Sequence, residues 1–244
     1  RWQNLMLLAA SYLFYGYASS HFVLLLAATT TVDWALGLAM GRVLPQHRRL
    51  LVTFSVCLNL GVLAFFKLSG LFSLAALQLT KRLGLDPGWT VLSIALPAGV
   101  SFYTFQSLGY VIDVYRGQIE PCRSLPTFAL YVSFFPQLIA GPIERASHIL
   151  PQLTRTRRVT ATMWVEGLLL MLIGLVRKFC ISDVVAPMVD LAFGDPSAES
   201  SLVLFRGVFL FSVQAYGDFA GYSDMARGLG KMLGIELMVN FRHP

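Results

Sequence analysis

The segment LVLFRGVFLFSVQA (Leu202–Ala215) runs directly into QAYGDFAGYSDMARGLGKMLG (Gln214–Gly234), and together they decide the class of fold that the chain can adopt. The first segment is apolar and carries one charged residue, Arg206. The second places two carboxylates, Asp218 and Asp224, and five glycines in a pattern that is otherwise typical of a helix. Because carboxylates are costly in an apolar medium, this helix must pack against other helices or line water.

Five further runs have the same apolar character. They are Leu24–Gly41, Leu50–Phe66, Val91–Val114, Leu125–Ile143 and Met163–Val176. About 20 apolar residues cross a bilayer core, so these runs are candidate transmembrane segments. Of the 244 residues, 56% are hydrophobic and 13% are charged, whereas soluble domains carry roughly a quarter charged residues. The composition predicts an all-α, polytopic membrane protein with a single transmembrane domain over residues 1–244.

The basic residues point to a membrane surface and not to nucleic acid. The net charge is +6, and the lysines and arginines gather at 42–49, 81–82, 155–158 and 177–178. No patch that mixes aromatic and basic residues lies outside the apolar runs, which argues against nucleic acid as a partner. Short basic loops stay in the cytoplasm, so 42–49 and 155–158 are predicted to be cytoplasmic and to meet anionic lipid headgroups.

Residues 2–18 and 22–41 are predicted to form two helices, and Asp33 in the second must face a protein interior or water. The run 50–66 predicts a third helix. The following stretch, 68–79, is apolar but too short to cross alone, so it is predicted to re-enter the membrane.

Helix breakers and a polar stripe mark the run that follows. Pro97 and Gly99 are predicted to interrupt this helix early, because proline removes one backbone hydrogen bond and clashes with the preceding turn. The polar residues after the break recur at spacings of three, four and three, which places them on one helical face. They are Tyr103, Gln106, Tyr110 and Asp113. Such a stripe must face other helices or water.

A second broken span is predicted at 131–153. Pro136 and Pro142 interrupt it, and Gln137 follows the first break. Broken helices are tolerated in membranes where the freed carbonyl groups meet protein or a wet cavity. The stretch 147–153 is predicted to be a short interfacial segment.

The stretch that opened this section carries a third polar stripe. Gln214, Asp218 and Tyr222 stand at i, i+4 and i+8, on one face. Two pairs of glycines in the small-xxx-small pattern predict close helix packing. They are Gly217 with Gly221 and Gly230 with Gly234.

Intramembrane carboxylates are the best candidates for function. Asp113 and Asp218 are candidates for a functional role, because a charge at the bilayer centre costs about 3 kcal/mol. The alternative is a set of ion pairs near a membrane surface, Asp113 with Arg116 and Asp224 with Arg227. None of the four histidines lies inside a span with a polar partner at helical spacing, so none is assigned an acid-base role. The three cysteines form no Cys-x-x-Cys motif, and no metal site is predicted.

Three motifs together resemble the membrane-bound O-acyltransferases, in the branch that acts in alginate O-acetylation and in D-alanylation of teichoic acids. They are LPAGVSFYTFQSLGYVIDVYRG (96–117), FFPQLIAGPIERASHILPQL (134–153) and DFAGYSDMARGLGKMLGIELMVNF (218–241). The resemblance covers essentially the whole chain in the right order. It implies a bundle of helices, some broken or re-entrant, around a central funnel.

The resemblance also implies an activity. It is the transfer of an acyl group, with acetyl-CoA as the expected donor, across a bacterial inner membrane to an extracytoplasmic polysaccharide such as alginate. An extracytoplasmic acetyltransferase or acyl acceptor protein is the implied partner, beside the lipid bilayer itself. Six residues are expected to line or brace the funnel: Tyr103, Gln106, Asp113, Gln137, Asp218 and Tyr222.

No catalytic residue is expected within the chain itself. Because the sequence starts at Arg1 and stops at NFRHP, we expect an interior piece of a longer protein. By the resemblance, the catalytic histidines follow Pro244, and His243 is not promoted to that role. The piece alone is therefore expected to be inactive.

Two other functions share these features. Broken helices and intramembrane acids also mark transporters and flippases, whose sites lie between internal repeats. Pro97-Ala98-Gly99 and Ala140-Gly141-Pro142 share composition, but the residues flanking them do not match. A non-catalytic membrane anchor of a complex that assembles a cell-surface polymer is the remaining alternative.

Overall fold

The computed structural model describes the chain except for Arg1 and residues 85–87, 89, 91–95, 139–140, 196–199 and 242–244. The start of the run predicted at Val91, and His243, therefore lie outside the described residues. Across the described ranges the secondary structure is helical and includes no strand. The prediction of an all-α protein is confirmed.

The chain divides into two compact units. The first comprises residues 1–135 and 145–150, and the second comprises 136–144 and 151–244. The prediction of a single transmembrane domain over 1–244 stays a prediction.

The first unit is built on long apolar helices. They are α1 (Trp2–Ser19), α2 (Val23–Met40), α3 (Pro45–Arg82), α4 (Val100–Tyr115) and α5 (Leu125–Ser133), with a 3-10 turn (Ser20–Phe22) between α1 and α2. The predicted pair of helices over 2–18 and 22–41 is confirmed. Trp2–Met40 and Pro45–Arg82 are each long and apolar enough to cross a membrane, in agreement with the predicted polytopic class.

The predicted re-entrant stretch at 68–79 is wrong, because α3 continues through it without a break. Lys67 and Gly70 lie inside the helix, where lysine is a good helix former and one glycine costs about 1 kcal/mol. An unbroken helix keeps every backbone group paired, which an apolar medium requires. At about 1.5 Å per residue, its 38 residues span about 57 Å. The helix can therefore cross a hydrocarbon core of about 30 Å and extend beyond it.

Both predicted helix breaks have a structural counterpart, but at Pro97 it differs from the prediction. Among the described residues, Pro97 and Gly99 precede α4 and do not interrupt it. Gly99 adopts φ +67°, a left-handed conformation that favours glycine. At the second site, α5 ends at Ser133, and Pro136 lies in the short helix α6 (Phe135–Leu138). The residues around Pro142 are not helical, so the predicted broken span is confirmed.

The second unit contains the remaining long helices. They are α8 (Ala161–Val176), a π-helical segment (Arg177–Ser182), α9 (Asp183–Gly194) and α10 (Ser201–Met232). The helix α7 (Ala146–Thr154) covers the short segment predicted at 147–153, and its residues divide between the two units. Ser201–Met232 is a third stretch long and apolar enough to cross a membrane.

Candidate functional site

Helices α8 and α10 pack closely because their glycines face one another. A Cβ atom placed on Gly228 would lie 2.4 Å from the Gly167 carbonyl oxygen, and one on Gly174 would lie 2.5 Å from that of Gly221. A side chain at either position would collide with backbone, so these glycines set the distance between the helices. Gly217 also packs closely, against Ser182. The predicted packing role of Gly217 and Gly221 is confirmed.

The second predicted glycine pair has a different role. Gly234 adopts φ +77°, and its N–H donates to the Lys231 carbonyl at 3.0 Å. The next N–H, of Ile235, donates to the Gly230 carbonyl at 2.9 Å. These two bonds form the Schellman motif that ends α10. The prediction that Gly230 and Gly234 form a helix-packing seam is therefore wrong, because Gly234 terminates the helix.

A lysine gathers the polar residues of the third stripe. Lys178 Nζ lies 2.7 Å from a carboxylate oxygen of Asp218 and 2.7 Å from one of Asp183. The same ammonium lies 5.7 Å from the centre of the Tyr222 ring, within the range of a cation-π contact. The structure thus brings Asp218 and Tyr222 together around Lys178. We call Lys178, Asp183, Asp218 and Tyr222 the lysine cluster.

The π-helical segment positions the cations of this interface. It contains both Arg177 and Lys178, and both side chains reach acids of α10. Such segments are rare and occur frequently at functional sites. The sequence offered no signal for it beyond the adjacent basic residues.

A second ion-pair group centres on Asp224. Arg177 Nη1 lies 2.5 Å from one carboxylate oxygen and Arg227 Nη1 lies 3.0 Å from the other. The Asp224 residue is buried, at 7% exposure. The predicted pair of Asp224 with Arg227 is confirmed, and Arg177 is a further partner that the sequence did not indicate. The Asp224 carboxylate therefore links α10 to the π-helical segment, which is a structural role.

Other polar groups along the same helices differ in their pairing. Lys231 forms an ion pair with Glu166. Gln214, the first residue of the third stripe, has a buried side-chain oxygen that accepts no hydrogen bond within the described part of the chain. The interface of α8 and α10 therefore combines glycine contacts with ion pairs.

In the first unit, Gln106 links α4 to α5. Its side-chain nitrogen donates to the Tyr131 carbonyl at 2.6 Å, and the Tyr131 hydroxyl donates to the Gln106 carbonyl at 3.2 Å. Tyr103 is buried and packs edge-to-face on Tyr15 of α1. Both are bracing positions in the bundle. Asp113 is half-buried, and within the described ranges it forms no ion pair with Arg116.

A buried carboxylate outside the predicted site residues holds α2 against α3. Asp33 is fully buried and accepts hydrogen bonds from Ser55 Oγ at 2.6 Å and from Asn59 Nδ2 at 2.9 and 3.0 Å. The expectation that Asp33 faces a protein interior is confirmed. The signal for its partners was in the sequence, because Ser55 and Asn59 stand four residues apart in an apolar run.

Residues of the second motif bind the chain that follows α10. Glu144 is buried and accepts a hydrogen bond from the Met238 N–H. Gln152 donates to the Glu236 carbonyl at 3.0 Å and accepts from the Glu236 N–H at 2.9 Å. Gln137 is also buried in this unit. Glu144 and Gln152 were not among the predicted site residues.

Two groups outside the apolar spans have shifted protonation equilibria. Burial raises the pKa of the Cys122 thiol, so at neutral pH it is protonated and a poor nucleophile. Burial also lowers the pKa of the Arg157 guanidinium. In the part of the chain that the structure describes, no group of three or more His, Cys, Asp or Glu side chains could hold a metal ion.

Curated relatives match this chain from end to end, although no family model matches it. The probable alginate O-acetylase AlgI of Azotobacter vinelandii is 39% identical over 100% of this chain and 49% of that protein. The same protein of Pseudomonas aeruginosa is 37% identical over 100% of this chain and 47% of its own length. The peptidoglycan O-acetyltransferase of Helicobacter pylori is 29% identical, over 99% of this chain and 50% of that protein. The chain belongs to the membrane-bound O-acyltransferase family.

The match covers a part of these acyltransferases. The chain spans about half the length of the curated relatives it matches. All three motifs that carried the resemblance fall within the matched region, since the alignment extends over the whole chain.

The six residues that were expected to line a funnel divide between the two units. Tyr103, Gln106 and Asp113 lie in the first unit, and Gln137, Asp218 and Tyr222 lie in the second. Two of them, Asp218 and Tyr222, meet at Lys178. The funnel itself stays a prediction.

Proposed function

We propose that the protein to which this chain belongs is a membrane-bound O-acetyltransferase that acylates an extracytoplasmic polysaccharide such as alginate. The observation that carries the proposal is the 39% identity to an alginate O-acetylase over the full length of this chain. The structure is compatible with it, since long apolar helices hold paired carboxylates in their interfaces.

The donor and the partner are proposed on the resemblance to the family. We propose acetyl-CoA as the acyl donor, because it is a cytoplasmic compound, and an extracytoplasmic acetyltransferase or acyl acceptor protein as the recipient. The bacterial inner membrane separates these two compartments, and a multi-pass protein within it contacts both. Acyl transfer between them needs a polar route through the bilayer, lined by groups that remain hydrated or paired.

The lysine cluster and Gln106 are proposed to brace this route. The Asp218 carboxylate offsets the charge of the half-buried Lys178 in the π-helical segment. Gln106 holds α4 to α5 through two bonds with Tyr131. Tyr103, Asp113, Gln137 and Tyr222 complete the proposed set.

Sealed vesicles containing the full-length protein test this function directly. Labelled acetyl-CoA is supplied on one side, and the acceptor protein or polysaccharide is supplied on the other. Covalent label on the acceptor supports the acetyltransferase. Movement of an intact solute with no covalent label would support a transporter or flippase. If neither label transfer nor solute movement is detected, the remaining alternative is a membrane anchor. The relatives reported above are named as acylating proteins, which does not favour these alternatives.

A further inference from the structure

A polar cavity rich in arginine lies at the end of α2 in the first unit. Its larger part, of about 440 Å³, is lined by Arg42, Glu120 and Arg123 among others. An adjoining part of about 280 Å³ shares Glu120 and adds Arg48. Three arginines and one glutamate therefore line its two parts, so the cavity carries a net positive charge. We call it the arginine cavity.

The backbone that carries Arg123 is held firmly in place. The Trp34 indole N–H donates to the Cys122 carbonyl at 2.9 Å, and the Cys122 N–H donates to the Tyr110 hydroxyl at 3.0 Å. Both backbone groups of Cys122 are thus bound by side chains of α2 and α4. These bonds fix the position from which the exposed Arg123 side chain extends.

One of the three arginines has an unused donor. The Nε atom of Arg48 is buried and donates to no acceptor in the ranges that the structure describes. A buried donor without a partner is costly, and an anion would offset that cost once the Arg48 side chain turns to expose this Nε atom. Arginine is well suited to this role, because its planar group can form two parallel hydrogen bonds to a phosphate.

An apolar groove lies along the same helix, closer to its middle. Its volume is about 390 Å³, and it is lined by residues of α1, α2 and α5. Those that matter here are Leu5, Leu8, Ala9, Thr31, Pro126 and Ala129. The groove is open and mostly apolar, so an alkyl chain fits its chemistry.

The groove and the arginine cavity follow one face of α2. Thr31 of the groove and Leu38 of the cavity stand seven residues apart, which is nearly two full helical turns, so they share a face. At about 1.5 Å per residue, they are about 10 Å apart along the axis. Arg42 lies in the turn two residues after α2 ends, and it lines the cavity beside Leu38. On the other side, Arg123 of the cavity precedes Leu125 of the groove by two residues.

We propose that this surface binds one anionic phospholipid, with its phosphate in the arginine cavity and an acyl chain in the groove. The α2 helix is part of an apolar stretch long enough to cross a membrane, so its basic end lies at the level of lipid headgroups. A soluble phosphate compound would use the cavity and leave the groove empty. The alignment of the two along α2 is the reason to assign a lipid.

The test uses the full-length protein, purified in mild detergent and exposed to vesicles of phosphatidylglycerol or phosphatidylcholine. Retained lipid is counted by native mass spectrometry. The double variant Arg42→Gln with Arg123→Gln is expected to retain phosphatidylglycerol far less well, by roughly fivefold for each arginine removed. Arg49→Gln is the matched control, because Arg49 is exposed on α3 and lines neither cavity.

A second variant tests the groove. Ala9→Phe fills it and is expected to reduce retention, whereas Ala28→Phe, at an exposed position of α2 outside the groove, is expected to leave it unchanged. Wild-type retention in both the double variant and Ala9→Phe would overturn the proposal. Displacement of the lipid by inorganic phosphate, with no effect of Ala9→Phe, would identify a site for soluble phosphates and would also overturn it.

Discussion

At the scale of single residues, two buried carboxylates persist in apolar helices because each has specific partners. Asp33 accepts hydrogen bonds from a hydroxyl and an amide, while Asp224 is held by two guanidinium groups. Removing the carboxylate leaves neutral donors without an acceptor in the first case and cations without a counter-charge in the second. Two predictions follow from these two environments.

Replacing Asp33 by Ala is expected to destabilise the protein by about 1–3 kcal/mol, because the buried donors of Ser55 and Asn59 lose their acceptor. Thermal unfolding of the detergent-purified protein measures this loss. Asp190→Ala, at an exposed position of α9, serves as the control. Adding Asn59→Leu to Asp33→Ala should recover part of the stability. Equal melting temperatures for Asp33→Ala and wild type would contradict the assignment.

Asp224→Asn is expected to be more damaging to stability than Asp218→Asn. The first leaves Arg177 and Arg227 without a counter-charge in a part-buried interface, at a cost of about 1–3 kcal/mol. The second leaves Lys178 with Asp183, in a more exposed setting. Melting temperatures give the order. If Asp218→Asn melts lower than Asp224→Asn, the structural role given to Asp224 is wrong.

At the scale of helices, the packing of α8 on α10 depends on glycines that meet face to face. Gly167 and Gly174 are seven residues apart, as are Gly221 and Gly228, and each glycine of one helix faces one of the other. This heptad match was present in the sequence. The prediction from the sequence considered only glycines four residues apart, so it identified one side of the interface and not the other.

Gly174→Ala is expected to destabilise the protein by about 1–3 kcal/mol, because the added methyl group would lie 2.5 Å from the Gly221 carbonyl oxygen. Gly61→Ala in α3 is the matched control, since nothing lies within 4 Å of the methyl group there. That control should be neutral or stabilising by up to about 1 kcal/mol. Thermal unfolding of both variants decides the point, and equal tolerance would refute the close contact.

At the scale of the whole molecule, the two units are stabilised by different kinds of contact. The first is held by Asp33 and Gln106, while the second is held by ion pairs and glycine contacts. The predicted funnel residues come from both. Substitutions that spare stability and reduce acetylation are therefore the informative ones.

Gln106→Ala in the full-length protein is expected to lower acetylation of the polysaccharide at least several-fold, because α4 loses its link to Tyr131 and the proposed route loses a polar group. Bound acetate per sugar is the measurement, with membrane abundance determined in parallel. Gln78→Ala, exposed on α3, is the control. Normal acetylation at normal abundance would remove Gln106 from the proposed set.

The sequence by itself determined the membrane class, most of the helices and the family. Apolar runs of sufficient length and local breakers such as Pro136 act within a few residues, so they can be recognised without tertiary contacts. The same holds for the pair of Asp224 with Arg227, which are three residues apart on one helix.

Only the tertiary structure decided which distant groups meet. The partners of Asp33 are 22 and 26 residues away, and Arg177 is 47 residues from Asp224. The continuity of α3 through 68–79, wrongly predicted to re-enter the membrane, also depends on context, since one lysine and one glycine neither enforce nor prevent a helix. Pairing across a bundle depends on which faces of different helices come together, and local sequence patterns do not specify that arrangement.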